Sequence, residues 1–391
     1  MAPVQPDPGP DHDDIRAGVR RVCRDFPDAY WRACDTEHRF PTEFYAAMAE
    51  GGWIGIAIPE EHGGGGRGIA EAAVVLEEVA ASGAAMNGCS AIHLSIFGMN
   101  PVVRHGTDEQ RQRYLPRVAS GELHVAFGVT EPDAGSDTTA ITTRARRDGD
   151  RYLVRGRKVW TTKASLSQKV LLLVRTTPVE EVARRTDGLT LLLADLQRPE
   201  VTITPISKLG RNAVVSCEVV YEDLPVAVAD RIGEEGDGFR LLLDGLNPER
   251  ILLAAEALGT GRVALRRAVA YANERVVFGR PIGQNQGLAF PLAEAHMRLS
   301  AAALAVADAA GRYDDGRPCG EQANTAKWLA AEAGFFAADR AVQTLGGFGY
   351  ATEYDVERYW REARLLRLAP VSQELVCSYV AEHVLGLPRS Y

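Results

Sequence analysis

The stretch Phe127-Gly-Val-Thr-Glu-Pro-Asp-Ala-Gly-Ser-Asp137 decides how the rest of the chain is read. It closes an apolar run, His124 to Thr130, that predicts a β-strand of mixed burial. It then breaks into a turn built on Pro132, Asp133, Gly135, Ser136 and Asp137. A strand edge feeding such a loop gathers backbone N–H groups and small hydroxyls in one concave place, which suits polar ring edges or anionic groups. An ordinary solvated loop has the same composition, so the stretch needs a second signal. Arg157-Lys-Val-Trp-Thr-Thr-Lys163 supplies one: another strand end, with a large aromatic residue beside two adjacent threonines.

Outward from this pair the hydrophobic period changes twice. Residues 15–123 read as helical: 43–52 ends at paired glycines, 69–81 carries apolar residues at helical spacing, and 108–115 reads as a short surface helix. Residues 124–235 read as strands, with a hairpin around Asp148-Gly-Asp150 and further strands at 170–174, 189–193 and 201–204. From 236 to 391 long helical patterns return. A helical block, a β block and a second helical block predict an α+β chain with segregated domains. Residues 1–14, rich in proline and aspartate, read as a disordered lead-in with neither a basic start nor an apolar core of a signal peptide.

Composition narrows the function classes. The 391 residues are 46% hydrophobic and 25% charged, as in ordinary globular proteins. A net charge of −8 disfavours general nucleic-acid binding, and no apolar stretch reaches the length of a membrane span. Six scattered cysteines form no C-x-x-C pair, which predicts reduced thiols, a cytoplasmic location and no metal site. Gly63-Gly-Gly-Gly-Arg-Gly68 matches G-x-G-x-x-G in letters. It does not directly follow a strand and no second strand follows its helix, so it reads as a flexible glycine loop rather than a dinucleotide turn.

The two opening motifs, with Lys208-Leu-Gly210, Ser216-Cys-Glu218, Arg275-Val-Val-Phe-Gly279 and Gln343-Thr-Leu-Gly-Gly347, resemble the acyl-CoA dehydrogenase family of flavoproteins over nearly the whole chain. The resemblance implies an N-terminal helical domain, a central β-barrel-like domain and a C-terminal four-helix-bundle domain. It also implies FAD as cofactor. Phe127, Val129, Thr130 and Ser136 would line one side of the flavin, Ser136 touching phosphate or substrate, with Trp160, Thr161 and Thr162 flanking the ring. Arg275, Phe278 and Gln286, and separately Gln343, Gly346 and Gly347, would reach a neighbouring subunit's flavin. Ser372 and Glu374 would complete the cofactor contacts. Lys163 departs from the family's usual asparagine.

The catalytic base is the informative departure. Many members carry a glutamate in a C-terminal Tyr-Glu-Gly-Thr loop; the matching run here is Ala369-Pro-Val-Ser372, and proline is no base. Members of the isovaleryl-CoA dehydrogenase type place the glutamate on a helix of the last domain, which matches Asn247-Pro-Glu-Arg250 and points to Glu249. On the residues alone, Asn247 reads as an N-cap, Pro248 as the first helical residue and Glu249 as a first-turn acid, and the two roles are compatible. The resemblance then implies α,β-dehydrogenation of an acyl thioester to the trans-2-enoyl product: Glu249 takes the α-proton and the β-hydrogen leaves as hydride to flavin N5. Asn247 and Arg250 would hold the thioester carrier. Cys89, His93, Phe97 and Ala369 would line the acyl pocket, with alanine in place of tyrosine leaving room for a branched chain. Pro370 brings no N–H to polarise the thioester carbonyl.

The partners implied are an acyl-CoA or acyl-carrier-protein thioester from fatty-acid or branched-chain metabolism, an electron-transfer flavoprotein as acceptor, and a homotetramer built as a dimer of dimers. A flavin oxidase or monooxygenase on the same fold is the alternative. A non-catalytic flavin-binding protein is a third reading, disfavoured by Thr162, Arg275 and Glu249.

Overall fold

Helices fill the chain as far as Ala119 in the computed structural model, which describes residues 12–389. They are α1 (Asp13–Cys23), α2 (Asp28–Glu37), α3 (Thr42–Glu50), α4 (Ile69–Val79), α5 (Ala85–Ile96), α6 (Asn100–His105) and α7 (Asp108–Ala119). The lead-in expected for 1–14 lies outside the described residues up to position 11. At its end the expectation fails, because α1 begins at Asp13 with Asp13 and Asp14 in its first turn, where the helix dipole favours acids. The helix expected at 108–115 runs on to Ala119. It buries Tyr114, Leu115 and Val118, so it is only half a surface helix.

The glycine run at 63–68 is held rather than flexible. Gly64, Gly65, Gly66 and Arg67 donate backbone hydrogen bonds to the carbonyls of Pro59, Gly55, Ile58 and Ile56. A Cβ on Gly64 would lie 2.1 Å from the Ile58 carbonyl oxygen, so this glycine permits a close backbone approach.

Eight strands form one sheet: β1 (Val125–Gly128), β2 (Arg144–Asp148), β3 (Arg151–Thr162), β4 (Lys169–Arg175), β5 (Leu189–Asp195), β6 (Val201–Pro205), β7 (Ser216–Ala227) and β8 (Arg231–Ile232). Their order is β6-β7-β3-β2-β4-β5-β8, with β1 lying parallel to β4. β4 shows why a strict period of two is absent in its sequence. Leu171 and Leu173 pack on one face with Tyr114, Leu115 and Val118 of α7, while Val170, Leu172 and Val174 pack on the other with Val219 and Tyr221 of β7. A strand covered on both sides has no polar face to show.

The last block holds α8 (Gly238–Glu274), a hairpin of β9 (Val276–Val277) and β10 (Arg280–Pro281), then α9 (Gln286–Asp314), α10 (Gly320–Leu345), α11 (Val356–Leu365) and α12 (Gln373–Tyr379). α8, α9, α10 and α11 pack together. The first half of α8 lies against α4, α5 and the sheet, so the largest apolar core joins both helical blocks. The site forms where α5, α8 and the ends of β1 and β3 meet.

Candidate active site

The two opening motifs are tied together beneath their surface by an ion pair. Glu131, nearly buried, accepts from the Lys158 ammonium at 2.9 Å, from the Thr142 N–H and hydroxyl at 2.7 and 2.9 Å, and from the Thr143 N–H at 2.9 Å. Burial alone would raise the Glu131 pKa, but the Lys158 charge and these hydrogen bonds outweigh it and hold the carboxyl down to about 2. Lys158 also donates to the Val129 carbonyl at 2.8 Å, and the Val159 N–H to the Thr130 carbonyl at 2.9 Å. The β1 loop and the end of β3 are thus one rigid unit. Sequence reasoning missed Glu131 and Lys158, although both lie inside the motifs it quoted.

Above this strut Phe127, Val129 and Thr130 are half-buried, Ser136 is exposed and Thr161 is buried. Trp160 stands 55% exposed at φ 60°, a conformation costly for a bulky side chain. Thr162 is oriented from behind. Half-buried Arg211, itself at φ 59°, donates to its Oγ1 at 3.1 Å and to Ser216 Oγ at 2.8 Å, which leaves the Thr162 hydroxyl hydrogen free to point outward. Lys208 donates to the Arg211 carbonyl at 2.6 Å and secures that turn. Lys163, at φ 62°, turns inward to the Ala91 carbonyl of α5 at 3.0 Å and lies over the rings of Tyr45 and Phe40. Burial without a carboxylate partner pushes its pKa down to about 7. Positive φ at non-glycine residues occurs eight times among the described residues, and Trp160, Lys163, Arg211 and Phe278 account for half of them. Such backbone strain concentrates at functional sites.

Glu249 faces a narrow cavity lined with Phe97, Gly98, Pro101, Phe127, Leu242, Gly245 and Leu246. The structure corrects its local setting. α8 starts at Gly238, so Asn247 is no N-cap, Pro248 lies inside the helix, and Glu249 sits about three turns from the helix start. No helix N-terminus lowers its pKa. Enclosure raises it to about 7, with the Glu256 charge adding to the rise and Arg250 opposing it. Arg250 donates to Asn247 Oδ1 at 3.1 Å, which fixes the guanidinium beside the base.

The remaining expected residues divide into three groups. His93 and Phe97 lie together, their rings 5.3 Å apart, and Phe97 lines the Glu249 cavity. Cys89 turns instead to the Leu76 carbonyl at 3.3 Å and packs between α4 and α5. Arg275, Phe278, Gln286, Gln343, Gly346 and Gly347 are all exposed, Phe278 completely so and at φ 52°. Nothing among the described residues meets a Cβ built on Gly347, so packing within them does not explain that glycine. Ala369 is half-buried. Ser372 caps α12 through the Leu375 N–H at 3.3 Å, and Glu374 is exposed in the first turn of α12. The fully buried Glu256, seven residues after Glu249 and so on the same helical stripe, was missed, although that spacing was visible in the sequence. Among the described residues no group of histidine, cysteine, aspartate and glutamate could hold a metal ion, and no helix is long and apolar enough to cross a membrane.

Comparison with known proteins gives a consistent result. The family models for the N-terminal, middle and C-terminal domains of acyl-CoA dehydrogenase match residues 9–122, 126–224 and 236–385. The acyl-CoA dehydrogenase FadE12 of Mycobacterium tuberculosis is 40% identical over 379 residues, covering 96% of each chain. Butyryl-CoA dehydrogenase of Megasphaera elsdenii superposes with a TM-score of 0.90 at 27% identity, over 96% of this chain and all of that one. A chain from the structural study of the electron transferring flavoprotein of Acidaminococcus fermentans matches with a TM-score of 0.90 at 29% identity, over 98% of this chain and all of that one.

Proposed function

Because the chain belongs to the acyl-CoA dehydrogenase family, we propose that it is an FAD-dependent dehydrogenase of an acyl thioester with Glu249 as its base. The observation that carries this reading is Glu249 itself: a carboxylate enclosed in a cavity between Phe97 and Phe127, with its pKa raised to about 7. Such a group accepts a proton readily at neutral pH.

The residues present fit a flavin. An exposed, strained Trp160 beside a pre-oriented Thr162 hydroxyl offers a ring face and a donor, and the glycine pair 346–347 leaves an open surface for close approach. Trp160, Thr161 and Thr162 would hold the ring edge with Phe127, Val129, Thr130 and Ser136. When bound, FAD supplies the acceptor for the β-hydride. The chain does the rest. Phe97 and Phe127 exclude water, Asn247 and Arg250 hold the carrier at the mouth, and Glu249 takes the α-proton to Oε1 or Oε2. With Ala369 in the loop before α12, the pocket accepts a chain branched at the β- or γ-carbon.

The assembly is a tetramer in which Arg275, Phe278 and Gln286, and Gln343, Gly346 and Gly347, complete a neighbour's flavin site. Phe290, Met297 and Leu304 support it, because they expose an apolar stripe at a seven-residue repeat along α9. We place the domain boundaries at 123/124 and 235/236, the enzyme in the cytoplasm, and an electron-transfer flavoprotein as its acceptor. Anaerobic titration with acyl-CoAs of graded length and branching tests the whole reading. Bleaching of the bound flavin supports it, and a flavin no acyl thioester bleaches refutes it. Rapid reoxidation by oxygen in place of the flavoprotein would make the enzyme an oxidase.

A further inference from the structure

Between the segments Lys208-Leu-Gly210 and Ser216-Cys-Glu218 stands an arginine held in a backbone conformation that it does not prefer. Left-handed backbone at a residue with a Cβ persists only where the surroundings over-determine it. At Arg211 they do. The Lys208 ammonium and the Val214 N–H both donate to its carbonyl, at 2.6 and 3.2 Å. Three helices grip the residues beside it. Arg361 of α11 donates to the Leu209 carbonyl at 3.0 Å, Asp35 of α2 accepts from the Asn212 N–H at 3.1 Å, and Asn87 of α5 accepts from the Ala213 N–H at 3.0 Å. The clamped turn aims the guanidinium at three hydroxyl oxygens: Thr162 Oγ1 at 3.1 Å, Ser216 Oγ at 2.8 Å and Ser90 Oγ at 3.4 Å. Its buried Nε has no hydrogen-bond partner. Among the described residues no carboxylate pairs with it, and Glu256 and Glu362 act on its charge only from a distance.

We propose that Arg211 is a positioning residue that makes the bound flavin easier to reduce, its charge acting through the Thr162 hydroxyl, an inference that rests on the flavin reading above. A ring that accepts a hydride takes up two electrons and one proton and so gains one negative charge. A fixed positive charge behind the ring's donor stabilises that state more than the neutral one, and it needs no rearrangement to do so. The link is the hydroxyl. A hydroxyl that accepts from a guanidinium is left a stronger donor, because hydrogen bonds in a chain polarise one another, and the hydrogen left on Thr162 is the one free for the ring. The neighbouring ammonium of Lys163 donates instead to the Ala91 carbonyl, so Arg211 is the cation bonded to this hydroxyl. A carboxylate partner would cancel the effect, which accounts for an arginine given hydroxyls in place of a counter-charge.

The test is the midpoint potential of the FAD holoenzyme, read by slow reduction beside a reference dye with no acyl-CoA present. R211Q keeps an amide donor for Thr162 and removes the charge. It should lose roughly 10- to 100-fold in preference for reduced over oxidised flavin, the scale of a hydrogen bond to a charged group. At about 30 mV per tenfold for a two-electron couple, its potential falls by about 30–60 mV. R211K keeps the charge and should recover most of that. In a T162V background the R211Q change should move the potential little, since the link is cut. R211N, whose side chain tolerates left-handed backbone, is the second charge-free variant if R211Q fails to fold. A potential unchanged in R211Q or R211N, an equal fall in R211K, or an undiminished effect in the T162V background overturns the proposal. So does loss of FAD from both charge-free variants while R211K retains it, which would make the residue a structural one. A wild-type chain that binds no FAD overturns the proposal and the flavin reading together. If the potentials shift as expected and no acyl-CoA bleaches the flavin, the proposal stands and the acyl-thioester reading alone fails.

Discussion

Glu249→Gln separates a catalytic carboxylate from a structural one, because the two roles predict opposite changes in stability. The side chain keeps its shape and loses its charge. In the folded protein the carboxyl titrates at about 7 instead of 4.5, chiefly through burial. A folded pKa raised above the unfolded value means that the protonated acid is favoured by folding. Its contribution is complete below about pH 4.5 and is lost as pH rises to about 7. At pH 8 the ionised carboxylate therefore costs the fold roughly 3 kcal/mol, from a folded pKa of about 7 against 4.5 at about 1.36 kcal/mol per tenfold in proton affinity. Glutamine cannot ionise, so the variant should gain up to that amount over wild type at pH 8 and little at pH 4.5, read from denaturant unfolding at the two pH values. Its flavin reduction rate with a good acyl-CoA should fall roughly 10²- to 10⁴-fold, with flavin content unchanged. In wild type that rate should climb as pH rises through about 7, and Glu249→Asp should retain part of it. A glutamine variant that reduces its flavin normally would refute the assignment and move attention to Glu374. One that is less stable at pH 8 would show that the side chain holds the helix rather than the reaction.

Arg275→Ala removes a guanidinium expected to bind phosphate, and should weaken FAD binding by about 1.5–3 kcal/mol; full flavin retention after dialysis would contradict the placement. Light scattering at micromolar concentration should give four times the 42.4 kDa chain mass, and a flavin-loaded monomer would remove the case for a shared site. Lys158→Met strands the Glu131 carboxylate beneath the flavin motifs and should cost about 3–5 kcal/mol, detectable as a lower denaturant midpoint, whereas an unchanged midpoint would mean that water already serves Glu131. Lys163→Met should flatten the rise in stability that wild type shows from about pH 7 toward pH 10, since a lysine whose folded pKa is depressed to about 7 destabilises the fold increasingly as pH falls through that window.

The order of helical and β blocks was legible because periodicity survives in the amphipathic elements, such as α7, where Gln110, Tyr114, Leu115 and Val118 are buried and the charged residues between them are not. It was not legible where both faces of an element are covered. β4 shows a continuous apolar run, and α8 is apolar over most of its circumference from Ile251 to Ala264, so its start at Gly238 was hidden and Asn247-Pro248 passed for a helix beginning. Proline inside a helix costs one hydrogen bond, and here tertiary packing on both sides of α8 overrides it. The site motifs themselves were readable, but their supports were not. Glu131 and Lys158 are polar letters in strands, and only three-dimensional proximity reveals that they pair. Cys89 was misplaced for the opposite reason: helical spacing puts it near His93, yet a thiol finds its acceptor on the neighbouring helix.

What the chain gathers at this place is unfavourable for the isolated subunit. Trp160, Lys163, Arg211 and Phe278 hold left-handed backbone, Lys163 and Glu249 are enclosed away from their preferred charge states, and Phe278 extends fully into solvent. Each of these costs free energy that contacts among the described residues, such as Lys163 to the Ala91 carbonyl, return only in part. A ring stacked near Trp160, a phosphate at Arg275 and a neighbouring subunit over Phe278 would each return part of it. On the proposed tetramer, binding of cofactor and of a second copy would be linked, since each would complete the other's site. The same logic sets the Glu131–Lys158 strut apart. It is already satisfied within one chain, so it can tie the β1 loop to the end of β3 before any ligand arrives and support Trp160 and Lys163 next to it.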